Sequence, residues 1–310
     1  MKKGGKKVRR KLFDQLSADL SRVLIGKRDV IMCPLCLREF GRESVEYSSE
    51  IAETDRLTEE HVIPGSTGNY EVTLTCKRCN NTLGDSIDSH LARKIRLDLG
   101  ITGQVPVKAK LRWDDAGSPA DFHVDSGGKL NLRIKPPTDF VSRSLMDLLK
   151  KHESGERRMK INLSLNVNRR LLLASLTKAA YLGLFVHRGY AYILRPTLDM
   201  IRRAILEDGP DRERLCDIVV FSEIGNYSDL PGVPDRLTFE SESLGGVPAC
   251  ISMVNLKNAS GVAFVILPPE ISFTGAWNGL EKAAKAFKEH RQFNIEMDGG
   301  GKLTLKLEWI

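Results

Sequence analysis

Apolar residues fall three and four apart near the start of the chain. Val8, Leu12, Phe13, Leu16, Leu20, Val23 and Leu24 predict an amphipathic helix over 8–25. Met32-Cys33-Pro34-Leu35-Cys36 reads as a compact turn, and the polar, acidic stretch 41–58 as a surface loop. Two short strands are predicted at 60–64 and 71–75, separated by the loop Gly65-Ser66-Thr67-Gly68-Asn69. From about 80 to 99 the pattern is helical, with Gly100 as a C-terminal stop. Beyond 102 the texture changes. Alternating segments at 105–113, 129–134 and 160–165 predict strands, and 168–187 and 195–206 predict helices. The first of these helices is apolar around most of its surface and is expected to be buried. Further strands are expected at 218–221, 237–240, 248–254, 262–267 and 303–309, with a helix near 276–289. The class is α+β, and no internal repeat is evident.

Charge adds one feature. The chain of 310 residues carries a formal charge of +7, but residues 1–11 alone hold Lys2, Lys3, Lys6, Lys7, Arg9, Arg10 and Lys11 with no acid. Outside them the chain has 40 basic and 40 acidic residues and is formally neutral. A basic arm on a neutral body suits a polyanion, most naturally nucleic acid; the plainer reading is a solvated tail. The most apolar run, 171–186, is interrupted by Lys178 and is shorter than the about 20 residues a membrane span needs. With no apolar leader read at the start, the chain is expected to be soluble and cytoplasmic, without a membrane partner.

Four of the six cysteines form two Cys-x-x-Cys pairs, Cys33/Cys36 and Cys76/Cys79. In a chain without a secretion signal such pairs favour zinc over disulfides, because reduced thiols two residues apart suit tetrahedral chelation. Cys216 and Cys250 stand alone and are expected to be buried small hydrophobes. The 39 residues between Cys36 and Cys76 exceed the about 15–20 of a simple zinc ribbon, so something folded is enclosed between the knuckles. It contains Glu60-His61, and Asn80 follows the last cysteine directly. A hairpin carrying His61, packed on a helix that starts at Cys79, would bring Glu60, His61 and Asn80 together. Zinc would then replace a large core in a unit of about 70 residues.

Cys33-Pro34-Leu35-Cys36, Glu59-Glu60-His61-Val62-Ile63-Pro64-Gly65 and Leu74-Thr75-Cys76-Lys77-Arg78-Cys79-Asn80-Asn81-Thr82-Leu83-Gly84-Asp85 together resemble the HNH endonucleases of the ββα-metal fold. The likeness covers roughly residues 30–98. The stretch Leu-Thr-Lys-Ala-Ala-Tyr-Leu-Gly-Leu-Phe at 176–185 also looks like a downstream helix of the subgroup that continues as Cys-Asn-Asn. The resemblance implies that His61 is the general base, that Glu60 and Asn80 hold one catalytic divalent cation, Mg2+ or Mn2+, and that the four cysteines hold structural zinc. The chemistry is coherent. Imidazole can take a proton from water at neutral pH, and a hard cation on oxygen ligands neutralises the charge that develops on phosphorus.

Two positions depart from the family pattern. No Asn stands where the middle Asn is expected, near Glu71, so Asn69, Glu71 or a backbone carbonyl would orient His61. Gly84 stands where many relatives carry His or Lys, and Asp88 is the next residue on that helical face. Glu71, Asn81 and Asp88 are therefore candidate supports. Lys77, Arg78 and the N-terminal basic residues are candidate DNA contacts.

The expected organisation is a basic arm and helix at 1–29, an HNH module at 30–100, and an α+β domain at 102–310. That last domain is expected to regulate, target or dimerise the enzyme. DNA is the expected substrate, and stand-alone proteins of this type look like restriction, phage-defence or mobile-element nucleases. The alternatives are an RNase of the same mechanism and a non-catalytic, zinc-stabilised DNA-binding or sensor protein.

Overall fold

The computed structural model describes residues 3–46, 51–63, 71–101, 105–113, 116–125, 130–134, 143, 146–147, 150, 162–164, 167–222, 236–244, 246–255, 262–269, 277–289, 292–297 and 303–308. It is α+β, with small antiparallel sheets among helices. By contact pattern the chain divides into Met1–Leu91 with Asn168–Ile310, and Ala92–Val167. The expected boundary near residue 101 does not coincide with this division: residues from Asn168 onward group with the cysteine-bearing segment.

Helix α1 spans Lys3–Val23, so the basic stretch expected as a loose arm is helical from Lys3; Lys2 lies outside the described residues. Its buried stripe is Arg9, Phe13, Ser17 and Leu20, at spacings of four, four and three. Val8, expected on the apolar face, is exposed. Strands β1 (Val30–Met32) and β2 (Glu39–Gly41) pair antiparallel and flank the first cysteine turn. Strands β3 (Leu57–His61) and β4 (Val72–Cys76) form the expected hairpin, although β3 begins and ends earlier than the pattern suggested. Pro64 and the loop Gly65–Asn69 lie outside the described residues.

Helix α2 (Lys77–Leu83) follows β4 without a gap and passes through a π-helical turn, Gly84–Asp88, into α3 (Ser89–Ile101). A π turn adds a residue to the helical repeat and so shifts the phase of the helix beyond it; such turns are frequent at functional sites.

Helix α4 (Arg169–Ile193) is the centre of the larger unit. Leu172, Leu173, Leu176, Tyr181, Leu182, Leu184 and Phe185 are all buried, as the run of apolar residues predicts. Fully burying such a side chain contributes about 1.5–3 kcal/mol, which makes α4 a principal source of stability here. It is kinked at Gly189, whose φ is 66°. A Cβ there would run into the Asp19 carboxylate, which accepts from Tyr190 N at 2.7 Å. Glycine at 189 therefore satisfies both the left-handed backbone and the close approach of α1.

Helix α5 (Asp199–Leu206) follows α4. A four-stranded antiparallel sheet, in the order β10 (Arg236–Leu244), β11 (Val247–Asn255), β12 (Val262–Leu267), β9 (Val219–Ser222), packs with α4 and with α6 (Trp277–Glu289). A hairpin of β13 (Gln292–Met297) and β14 (Leu303–Glu308) follows. Cys250 is buried in β11, but Cys216 is exposed, contrary to the expectation of burial.

The smaller unit contains one antiparallel sheet ordered β7 (Leu130–Ile134), β6 (Ala116–Val124), β5 (Val107–Trp113), β8 (Asn162–Ser164). Among the described residues no helix is long and apolar enough to cross a membrane.

Candidate active site

The two cysteine turns meet. The sulfurs of Cys33, Cys36, Cys76 and Cys79 all lie within 4.8 Å of one another, with Cys36 and Cys76 at 3.8 Å. A tetrahedral ion with Zn–S bonds of about 2.3 Å requires sulfurs about 3.8 Å apart, so this set fits zinc. The backbone helps. Cys76 N donates to Cys33 Sγ and Cys79 N to Cys76 Sγ, both at 3.4 Å, and Leu37 turns the first knuckle with φ of 57°. Hydrogen bonds from Cys33 hold the Cys36 and Cys76 thiols below the usual thiol range, while burial raises Cys33 and the bonds with Cys36 and Cys76 raise Cys79.

The cysteine cluster fixes the start of α2 against the hairpin, because Cys76 ends β4 and Cys79 lies in the first helical turn. Asn80 lies in the same turn. Its Nδ2 donates at 3.0 Å to both Thr58 Oγ1 and Glu59 O, and its Oδ1 has no partner among the described residues. Asn80 thus ties α2 to β3 directly beside the Glu60-His61 pair.

Strand alternation then separates neighbours. Glu59 and His61 fall on one face of β3, where Arg9 of α1 reaches Glu59 at 3.3 Å and His61 is exposed at the strand end. Glu60 falls on the other face and is only 4% exposed. Its Oε1 accepts from Lys178 Nζ of α4 at 2.5 Å, and its Oε2 accepts from Thr75 Oγ1 at 3.5 Å. Lys178, 2% exposed, also donates to Asp88 Oδ2 in the π turn, while Ser175 Oγ donates to Asp88 Oδ1 at 2.8 Å.

Burial works against the Lys178 ammonium, but Asp88 and Glu60 together outweigh it and hold Lys178 above its ordinary value. Burial raises the Glu60 carboxyl, an effect that Lys178 only partly offsets. Two carboxylates around one ammonium leave this buried cluster with a net negative charge when all three are ionised.

Of the sequence candidates, Glu60 and Asp88 meet on Lys178, Asn80 is bonded to Thr58 and the Glu59 carbonyl of β3, and His61 stands at the strand end. Glu71 is not at His61. Its carboxylate lies 3.6 Å from His187 Nε2 of α4, on the hairpin face opposite His61 by alternation, while its backbone oxygen accepts from Val62 N at 3.0 Å. Asn81 is exposed. Lys77 pairs with Glu53, whereas Arg78 is exposed and lines a cavity of about 310 Å³ with Cys36, Arg38 and Cys79. Arg9 is spent on Glu59 and Arg10 on Glu46; Lys6, Lys7 and Lys11 are exposed.

The combination of a cysteine-clamped hairpin and helix, with Glu-His on the strand and Asn in the first helical turn, is decisive. Residues 47–96 match the HNH endonuclease family model. The chain thus contains an HNH module, whose family acts on DNA with divalent metals. No match is found among curated proteins or solved structures. The first knuckle, Cys33 and Cys36, lies outside the matched segment, and so does α4. Sequence reading missed Lys178 and Ser175 as partners of Glu60 and Asp88. The available signal was Lys178 as the single charged residue of the apolar run 171–186, since a buried charge demands a partner.

Proposed function

We propose that the chain is an HNH endonuclease that hydrolyses DNA phosphodiester bonds, with His61 as general base and one divalent cation, Mg2+ or Mn2+. The observation that carries this reading is the setting of His61. Its imidazole is exposed at the end of a strand whose preceding residues are held by Arg9, Asn80 and Lys178. A general base must be open to water and substrate while its backbone is fixed. His61 would take a proton from a water molecule whose oxygen attacks phosphorus. The bond to the 3′-oxygen then breaks, and that oxygen takes a proton from solvent, leaving 5′-phosphate and 3′-hydroxyl ends.

A bound divalent cation supplies neutralisation of the charge on the phosphorane and the leaving oxygen. The Glu60 carboxylate and the Asn80 amide oxygen would hold it, as hard oxygen donors. Of these two donors Glu60 already takes a positive charge, the Lys178 ammonium. Zinc on the four cysteines would be structural, fixing α2 to the hairpin. Such chemistry would serve restriction or phage defence.

The test is incubation of the pure protein with supercoiled plasmid and Mg2+, Mn2+ or EDTA, beside His61→Ala. We expect metal-dependent cutting that His61→Ala abolishes, with the fold intact because the side chain is exposed. Cutting by His61→Ala at the wild-type rate would sink the assignment. Tight binding without cutting by the wild type would favour a zinc-stabilised binder, and cleavage of RNA alone would favour an RNase.

A further inference from the structure

Lys178 is an unusual guest in the HNH site. It comes from α4, outside the matched segment, and its ammonium lies against Glu60, the carboxylate that the cation reading needs. It is nevertheless not bound to Glu60 alone. Asp88, held in turn by Ser175, offers the same ammonium a second carboxylate. Glu60 in this arrangement is drawn to the α4 face of β3, away from the face that carries His61. The two anchors differ in their surroundings: the Glu60 side chain is 5% exposed and that of Asp88 15%.

We propose that Lys178 is a latch on the cation site. The ammonium neutralises Glu60 while no divalent cation is bound, and cation loading takes Glu60 from Lys178, which stays paired with Asp88. The exchange balances charge. Before it, one ammonium serves two carboxylates; after it, the ammonium and Asp88 form a neutral pair, and Glu60 meets a divalent ion. No proton needs to move. Asp88 is thus a positioning residue that acts through Lys178. The π turn at Gly84–Asp88 has the corresponding role of setting the helix phase that carries Asp88 to Lys178. The inference rests on the reading that Glu60 is a ligand of the catalytic cation.

Lys178 and its second anchor Asp88 give opposite expectations, which a merely structural ion cluster would not. Mn2+ binding is measured on the zinc-loaded full chain by electron paramagnetic resonance, without substrate. Lys178→Met frees Glu60 and should tighten Mn2+ binding by about tenfold or more, because a unit positive charge no longer competes for the carboxylate. Asp88→Asn leaves Glu60 as the sole anion for Lys178 and should weaken Mn2+ binding by a similar factor. Glu60→Gln placed on Lys178→Met should remove the gain.

Lys178→Met leaves two carboxylates buried and can compromise folding, so a second measurement uses the wild type. With lysine labelled at the side-chain nitrogen, the Lys178 ammonium resonance should shift as Mg2+ saturates the site. An unmoved resonance at saturating Mg2+, or Lys178→Met and Asp88→Asn changing Mn2+ affinity in the same direction, overturns the latch. Plasmid cleavage that depends on His61 alongside either of those results leaves the nuclease reading standing and removes only the latch.

Discussion

Tyr181 of α4 donates its phenolic hydrogen to the carbonyl of Pro34, 2.7 Å away, inside the first cysteine turn. Further along the helix, beyond the kink, Tyr190 repeats the device: its hydroxyl donates to Met32 O at 2.5 Å and accepts from Met32 N at 2.9 Å. Both tyrosines are buried, and desolvation pushes Tyr181 above its ordinary phenol range. The knuckle is therefore bonded to a helix far away in sequence.

Tyr181→Phe should destabilise the protein by about 1–3 kcal/mol, the usual cost of stranding a buried acceptor. Chemical denaturation should show a lower midpoint with zinc content unchanged. A chain truncated after residue 101 loses both tyrosines and Lys178, leaving Glu60 and Asp88 without their cation. It should give a poorly dispersed NMR spectrum even with zinc supplied. A well-folded truncated protein would mean that the HNH module does not need α4.

Zinc is the second point. The purified protein should carry one zinc per chain, in keeping with the single group of four cysteine sulfurs found among the described residues. Cys33→Ser or Cys79→Ser should unfold the hairpin and α2, since structural zinc contributes roughly 10–16 kcal/mol in small zinc-finger peptides. Elemental analysis finding no zinc in a folded, freshly purified sample would refute this.

The candidate site is legible in the sequence wherever its pattern is local. The Cys-x-x-Cys spacing, the Glu60-His61 pair on a strand and Asn80 in the first turn of a helix all come from short-range pattern. The parts that are not legible depend on phase and on distant partners. A π turn cannot be read from hydrophobic periodicity, so the expected helix over 80–99 gives no reason for Asp88 to meet α4. Likewise the Glu71 carboxylate lies near His187 on the face opposite His61, and only strand register shows which face it takes. The same holds for His90, which belongs to no motif. It is a buried residue whose Nδ1 accepts from Asn168 N at 2.9 Å, a link between segments that local pattern does not reveal.

Asn80 has two separable roles. Its Nδ2 is the structural end, bonded to Thr58 and Glu59, and its Oδ1 is the end the cation reading uses. Asn80→Asp keeps an oxygen for the cation but sets a second acceptor against Glu59 O. It should lower stability by about 1–3 kcal/mol while retaining Mn2+ affinity. Asn80→Ala should lose both. Thermal melts and Mn2+ titrations on the two variants separate the roles; equal loss of Mn2+ binding in both would show that the oxygen of residue 80 does not serve the cation.

The basic N-terminal segment is a helix, which changes how its DNA role should be tested. Deleting residues 1–11 would also remove Arg9, whose guanidinium is buried against Glu59 on the strand that carries His61. Loss of activity after such a deletion could then come from β3 rather than from DNA. Arg10 is paired with Glu46, so among the described side chains of the segment those left to meet phosphate are Lys6, Lys7 and Lys11, all exposed. Lys7 and Lys11 are four apart and share a stripe along α1, with Lys6 beside them. Replacing these three with Gln removes charge but keeps good helix formers, so the helix and the Arg9–Glu59 pair should survive. DNA affinity should fall without change in sequence preference. The slope of log affinity against log salt should flatten by about 0.9 for each phosphate that is no longer neutralised. An unchanged slope, with the helix intact by circular dichroism, would place these lysines in solvent and move the DNA surface elsewhere, with exposed Arg78 beside the cysteine cluster as the next position to substitute.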